Sequence, residues 1–171
     1  MFELNLGSFP ENYDVHKVTY RTAVRSVVYR DGKLLMASTN KGDFKFPGGG
    51  VEPTEDLERA LHREMVEETG FEIDIIEHLL GTAIERRCDL FDEDDLFEMI
   101  SHYYLCHIKD DKKETKLDAY EVDLDLKPVW LTIDEALDAN EKHVDVNPWV
   151  KREIMVLKAL KELEGKGLLT F

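Results

Sequence analysis

FPGGGVEPTEDLERALHREMVEETGF, residues 46–71, joins a glycine-rich loop to one helix whose far end is crowded with carboxylates. Pro53 and Thr54 punctuate the loop. Thr54 is the expected N-cap, with Glu55 and Asp56 in a first turn where acids suit the positive end of the helix dipole. Gly70 suits the C′ position, so the spacing predicts a helix over 55–69. Leu57, Ala60 and Leu61 form one apolar stripe. Continued toward the C-terminus, that stripe meets Glu64 and Glu68, with Glu67 one step to the side. Glu64 thus stands in like-charge i,i+3 and i,i+4 pairs, and all three acids oppose the negative end of the dipole. Local propensity argues against such an arrangement. A divalent cation reverses the sign of every one of these terms, and hard cations such as Mg²⁺ take oxygen ligands that they share with substrate phosphates. Gly48, Gly49 and Gly50 allow close backbone approach to a ligand, which suits the phosphate side of a metal–phosphate site.

Gly49, five residues, Glu55, seven residues, Arg63-Glu64-Met65, one residue, Glu67-Glu68, one residue and Gly70-Phe71 resemble the Nudix box at all its defined positions. At average residue frequencies a chance match is on the order of 10⁻⁹ per window. The box covers 23 of the 171 residues. The resemblance implies the Nudix fold, an α/β/α sandwich with a mixed β-sheet. It also implies a hydrolase that uses Mg²⁺ or Mn²⁺. The metal ligands would be Glu64, Glu67 and Glu68, with backbone oxygen from Gly48 or Gly49. Arg63 would orient the carboxylates or contact phosphate, and Glu55 would be structural. The general base stays open among Glu64, Glu68, Glu121 and, as a weaker choice, Glu98; outside the box, surface acids are the commoner explanation.

The chain has the length of one ordinary domain, 1–171, with residues 1–15 as an N-terminal arm or short edge element and 148–165 as a C-terminal helix. A formal net charge of −15 disfavours nucleic acid and anionic membrane as partners. It suits a small-molecule nucleotide substrate approached through metal ions, and a homodimer stays open. Cys88 and Cys106 have no metal spacing and read as free thiols of a reducing, cytoplasmic setting. The six histidines show no i,i+4 pair that would hold a metal.

Around the box the pattern is mostly strand. In VTYRTAVRSVVY, Val24 and Val28 share one face, and Ala23, Val27 and Tyr29 the other. Asp31-Gly32 signals a tight hairpin, with Leu34-Leu35-Met36 opening the return strand. Phe71–Ile76 and Leu79–Ile84 read as two strands, Cys88–Asp95 as an acidic loop and Phe97–Ile108 as a long strand. Asp110–Lys113 reads as a polar turn, and Val122–Leu126 and Val129–Leu131 as strand pieces. Thr132-x-x-Glu135 is a capping box that opens a helix. Asn147-Pro148 reads as the N-cap and N1 of the last helix, which ends near Gly165.

Phe44, Phe46, Tyr103, Tyr104 and Trp130 are candidates to stack on a base, although aromatics in strands more often form core. Arg86 and Arg87 either contact phosphate or offset the acidic loop. Against the family pattern, the expected reaction is water attack on a pyrophosphate bond of a nucleoside diphosphate linked to another group. The signatures of the coenzyme A, ADP-ribose and diadenosine polyphosphate types are absent, which puts nucleoside triphosphates, damaged ones included, ahead. ADP-ribose or nucleotide-sugar cleavage remains an alternative, as does a module that senses a nucleotide without cutting it.

Overall fold

The computed structural model describes residues 1–11, 13–88 and 95–169. In chain order come β1 (Phe2–Leu6), β2 (Val18–Val27), β3 (Tyr29–Arg30), β4 (Lys33–Ser38), β5 (Phe44–Lys45), α1 (Leu57–Thr69), β6 (Phe71–Cys88), β7 (Leu96–Lys112), α2 (Ala119–Asp123), β8 (Lys127–Leu131), α3 (Ile133–Lys142) and α4 (Val150–Gly165). A four-stranded sheet has the order β1-β6-β7-β2, with β6 and β7 antiparallel and both outer pairings parallel. The mixed sheet expected from the family pattern is therefore present. A second, antiparallel sheet places β4 between β8 on one edge and β3 and β5 on the other.

Strand alternation sends side chains to two cores. Val27, Leu34 and Met36 meet Leu137 of α3 and Leu157 of α4. Val24, Val28 and Leu35 meet Ala60, Leu61 and Met65 of α1. Helices thus cover both faces, and the period of two read from residues 23–29 is the one observed. The Asp31-Gly32 hairpin turn has φ of 50° and 75° at its two central residues, as a tight turn matching strand twist requires. The N-terminal arm supplies an edge strand, β1, parallel to β6.

Five boundaries differ from expectation. Asp56, not Thr54, caps α1, its side chain accepting the Arg59 N–H at 2.8 Å. The break expected between Ile76 and Leu79 is absent. β6 runs unbroken, but its register against β7 shifts at several points, and each bulge inverts the in-out pattern locally so that one strand looks like two. The expected turn at 110–113 is β7 continuing to Lys112. Within 122–126, residues up to Asp123 belong to the short helix α2 rather than to a strand. Its signal stands in the sequence as Asp118-x-x-Glu121, with the Glu121 carboxylate accepting the Asp118 N–H at 3.0 Å. Asn147 does not cap α4; its side chain binds Asp43 and Lys41 instead, and Trp149 takes the N-cap position. The reading of 88–95 as a loop falls mostly on 89–94, outside the described residues.

Candidate active site

The glycine loop is stitched to the edge of β2. Val24 donates to the Gly49 carbonyl at 3.0 Å, Ser26 to Pro47 at 2.8 Å, and Val51 donates back to Thr22 at 2.9 Å. Gly48 sits at φ 140°, where a side chain would run into the Val24 carbonyl, and a Cβ on Gly49 would occupy the space of the Glu64 carboxylate. These glycines let the loop lie flat between β2 and the acidic end of α1.

Arg63 is the brace of that end. Its guanidinium reaches Glu55 at 2.5 Å, the Gly50 carbonyl at 3.0 Å, Glu64 at 2.7 Å and Glu67 at 3.1 Å. Glu55, which lies in the loop before α1, is held below its ordinary pKa first by the bond from Arg63. Its role is to hold Arg63. Burial pushes Glu64 up, with Arg63 and Arg25 opposing.

Glu68 faces the other way, into the protein, and is 1% exposed. It accepts from Lys45 Nζ at 2.7 Å and from the Gly48 N–H at 3.1 Å. Lys45 Nζ also lies 3.7 Å from Glu121, which is buried on α2. Two carboxylates thus share one ammonium. Burial raises Glu68 to about 7, with Lys45 opposing and the Glu121 charge adding to the rise. Burial acts on Glu121 too, but bonds with Glu68, the Asp118 N–H and Tyr120, together with the charge of Lys45, outweigh it and hold Glu121 low.

The donor chemistry fits a hard divalent cation: Glu64, Glu67 and Glu68 present three carboxylates within about one turn of helix. Glu64 and Glu67 stand together as like charges, while Glu68 turns away from them toward Glu121, and the chain answers each pair with a cation of its own. Arg63 Nη1 is shared by Glu64 and Glu67, and Lys45 by Glu68 and Glu121. Among the described residues no three His, Cys, Asp or Glu side chains converge closely enough to hold an ion. The carboxylates are arranged about the protein's own cations.

A cavity of about 260 Å³ opens beside the glycine loop. Its wall includes Gly48, Gly49, Arg21, Arg25, Lys45, Arg87 and Arg152, with Glu85 the one acid among the lining residues. Five cations line this one cavity in a chain of net charge −15, of which Lys45 and Arg152 already hold carboxylates. Arg25 is 7% exposed, spends Nη1 on the Gly48 carbonyl and keeps a buried Nε with no partner. Arg152 is fixed from behind by Glu85 at 2.6 Å and by Glu153. The apolar part of the wall is Phe97, Met99, Tyr120, Pro148 and Trp149. Trp149 is held by its indole N–H on buried Asp43 at 2.9 Å, and the Tyr120 hydroxyl donates to Glu121 at 3.0 Å.

Of the expected substrate contacts, only Arg87 lines this cavity, its guanidinium 4.3 Å from the centre of the Phe97 ring. Arg86 pairs with Glu98 at 2.6 Å and lies over Phe9. Phe46 and Tyr103 are fully buried and meet edge to face, and Phe44 packs on the same core. Tyr104 packs on the α1 core, while Trp130 lies at a separate shallow groove with Arg30. Sequence reasoning missed Arg21, Arg25, Arg152, Tyr120 and Trp149. A signal existed for the first two. Both share the strand parity of Ala23 and Val27; Arg21 is exposed, but Arg25 lies on the inward part of that face, where an arginine needs a reason.

The NUDIX domain model matches residues 19–150, from β2 to the first residue of α4. Over 61 residues the chain is 41% identical to the CTP pyrophosphohydrolase of Escherichia coli (strain K12), a match covering 33% of this chain. The chain thus spans 45% of the length of that curated relative. The solution structure of the E. coli ORF135 protein is similar with a TM-score of 0.57 at 23% identity, covering 88% of this chain and 95% of that one. A NUDIX hydrolase from Nitrosomonas europaea gives 0.55 at 22% identity, covering 82% and 90%. At these identities the likeness to the solved structures is one of fold.

Proposed function

This chain belongs to the NUDIX family, and from that premise we propose that it is a divalent-metal-dependent hydrolase of nucleoside diphosphates linked to a further group, with nucleoside triphosphates first. The observation that carries the reading is the cationic cavity, with Arg25 in its wall, beside the glycine loop that packs on Glu64 of α1. Mg²⁺ or Mn²⁺ held by Glu64, Glu67 and Glu68, with backbone oxygen from Gly48 or Gly49, would supply charge neutralisation and a more acidic attacking water.

The chain's own residues do the rest. Arg21, Arg25, Lys45, Arg87 and Arg152 take the phosphate charge, Arg25 from a position its bond to Gly48 already fixes. Trp149 and Tyr120 offer ring faces to a base, and a base on such faces gains about 1–3 kcal/mol. Arg63 orients Glu64 and Glu67. The general base is open among Glu64, Glu68, Glu121 and Glu98; Glu121 is buried against Tyr120 and Lys45 and does not line the cavity. For a nucleoside triphosphate the products are the monophosphate and pyrophosphate, one water being consumed. The name of the curated relative puts CTP first in the panel to be tried.

The test is hydrolysis with Mg²⁺ or Mn²⁺, read as pyrophosphate released from nucleoside triphosphates and as nucleoside monophosphate plus sugar phosphate from ADP-ribose and nucleotide sugars. Turnover that Glu67→Gln abolishes supports the hydrolase. Tight nucleotide binding without turnover by the wild-type protein overturns it in favour of a nucleotide-sensing module.

A further inference from the structure

Lys45 stands between one set of carboxylates behind it and, in front, a cavity with room for a second set of anions, those of a ligand. Behind it stand Glu68 at 2.7 Å and Glu121 at 3.7 Å. In front, the same side chain forms part of the cavity wall beside Gly48, Gly49, Arg21 and Arg25. The residue is 5% exposed, so its ammonium is in effect removed from water and needs one set or the other. A lysine suits such an exchange. Its charge is a point on a flexible four-carbon stem, and it is not locked to a carboxylate by a planar fork.

We propose that Lys45 is an exchangeable internal counter-ion that makes divalent-cation binding and polyphosphate binding reinforce one another. This rests on the metal assignment of the proposed function. A divalent cation taking Glu68 meets the ammonium already there, and the two repel. Without a polyphosphate, a Lys45 displaced from Glu68 keeps only Glu121, at 3.7 Å, in a nearly dry pocket. With a polyphosphate in the cavity, it moves from one anion to another at little cost. Each ligand then favours the other by the same factor. The device keeps stray metal from occupying the carboxylates when no nucleotide is present.

The experiment titrates wild type and Lys45→Met with Mn²⁺ alone, and with the preformed Mn²⁺ complex of a non-hydrolysable α,β-methylene nucleoside triphosphate. Bound Mn²⁺ is read by electron spin resonance, so no turnover is needed. Lys45→Met is expected to bind Mn²⁺ alone about tenfold more tightly and the complex about tenfold more weakly, within the range usual for site coupling. Opposite signs are the signature. Both affinities moving the same way, or Mn²⁺ alone unchanged, overturns the proposal and leaves the hydrolase reading standing. Wild type binding neither ligand overturns both. Should Lys45→Met not fold, Lys45→Arg carries the test: a fork seated on Glu68 and Glu121 is harder to expel, so Mn²⁺ alone should bind several-fold more weakly, and unchanged binding overturns the proposal.

Discussion

Glu68→Gln, studied in the metal-free protein, isolates the energetic cost of the carboxylate end of α1. Burial holds the Glu68 carboxyl at about 7, against its ordinary 4.5. A carboxyl that binds its proton more tightly when folded contributes stability fully below pH 4.5, and that contribution is lost as pH rises through 7. At 1.36 kcal/mol per pH unit the span is worth about 3 kcal/mol. Glutamine keeps the shape and an oxygen for the Gly48 N–H, but it does not titrate. Lys45 keeps Glu121 as a partner. The stability of the variant relative to wild type should therefore climb by up to about 3 kcal/mol between pH 4.5 and 8. For a chain of this length that is about 6–12 °C in Tm. Thermal or urea unfolding of both proteins with chelator present, at pH 5, 6, 7 and 8, reads the difference directly. Parallel curves, or a variant that melts progressively lower toward pH 8, would refute the reasoning. The Lys45–Glu68 pair would then be a net source of stability rather than a burial cost.

Arg25→Ala should raise the KM for nucleotide roughly 10- to 150-fold, the equivalent of about 1.5–3 kcal/mol for a charged hydrogen bond, measured at fixed ionic strength. Arg63→Lys removes the fork that spans Glu55, Gly50, Glu64 and Glu67 at once, and should lower stability by about 1–3 kcal/mol in urea unfolding. Gly48→Ala places a Cβ against the Val24 carbonyl at φ 140° and should cost at least about 2 kcal/mol, read as a fall in Tm.

Much of this was legible because the box is local. Periodicity and the closing Gly70 within residues 46–71 located the helix, although its cap is Asp56 and not Thr54. The Asp31-Gly32 turn and the alternation in 23–29 fixed the hairpin and the two faces, since each depends on neighbours only a few residues away. The cavity depends on distant ones. Arg21 and Arg25 come from β2 and Arg152 and Trp149 from the region of α4, and no short window contains both. Aromatics misled for a related reason. Phe46 and Tyr103 look like stacking surfaces in one dimension, but the cross-strand neighbours that bury them appear only once the sheet is formed.

Arg63 and Lys45 bear on how such a protein matures. Because the crowded acids are already answered from within, a newly made chain can fold in a compartment starved of magnesium and wait there intact. Under the proposed function, metal supply would then set how much of the protein works, and would change how much of it survives only by the stability that binding itself adds.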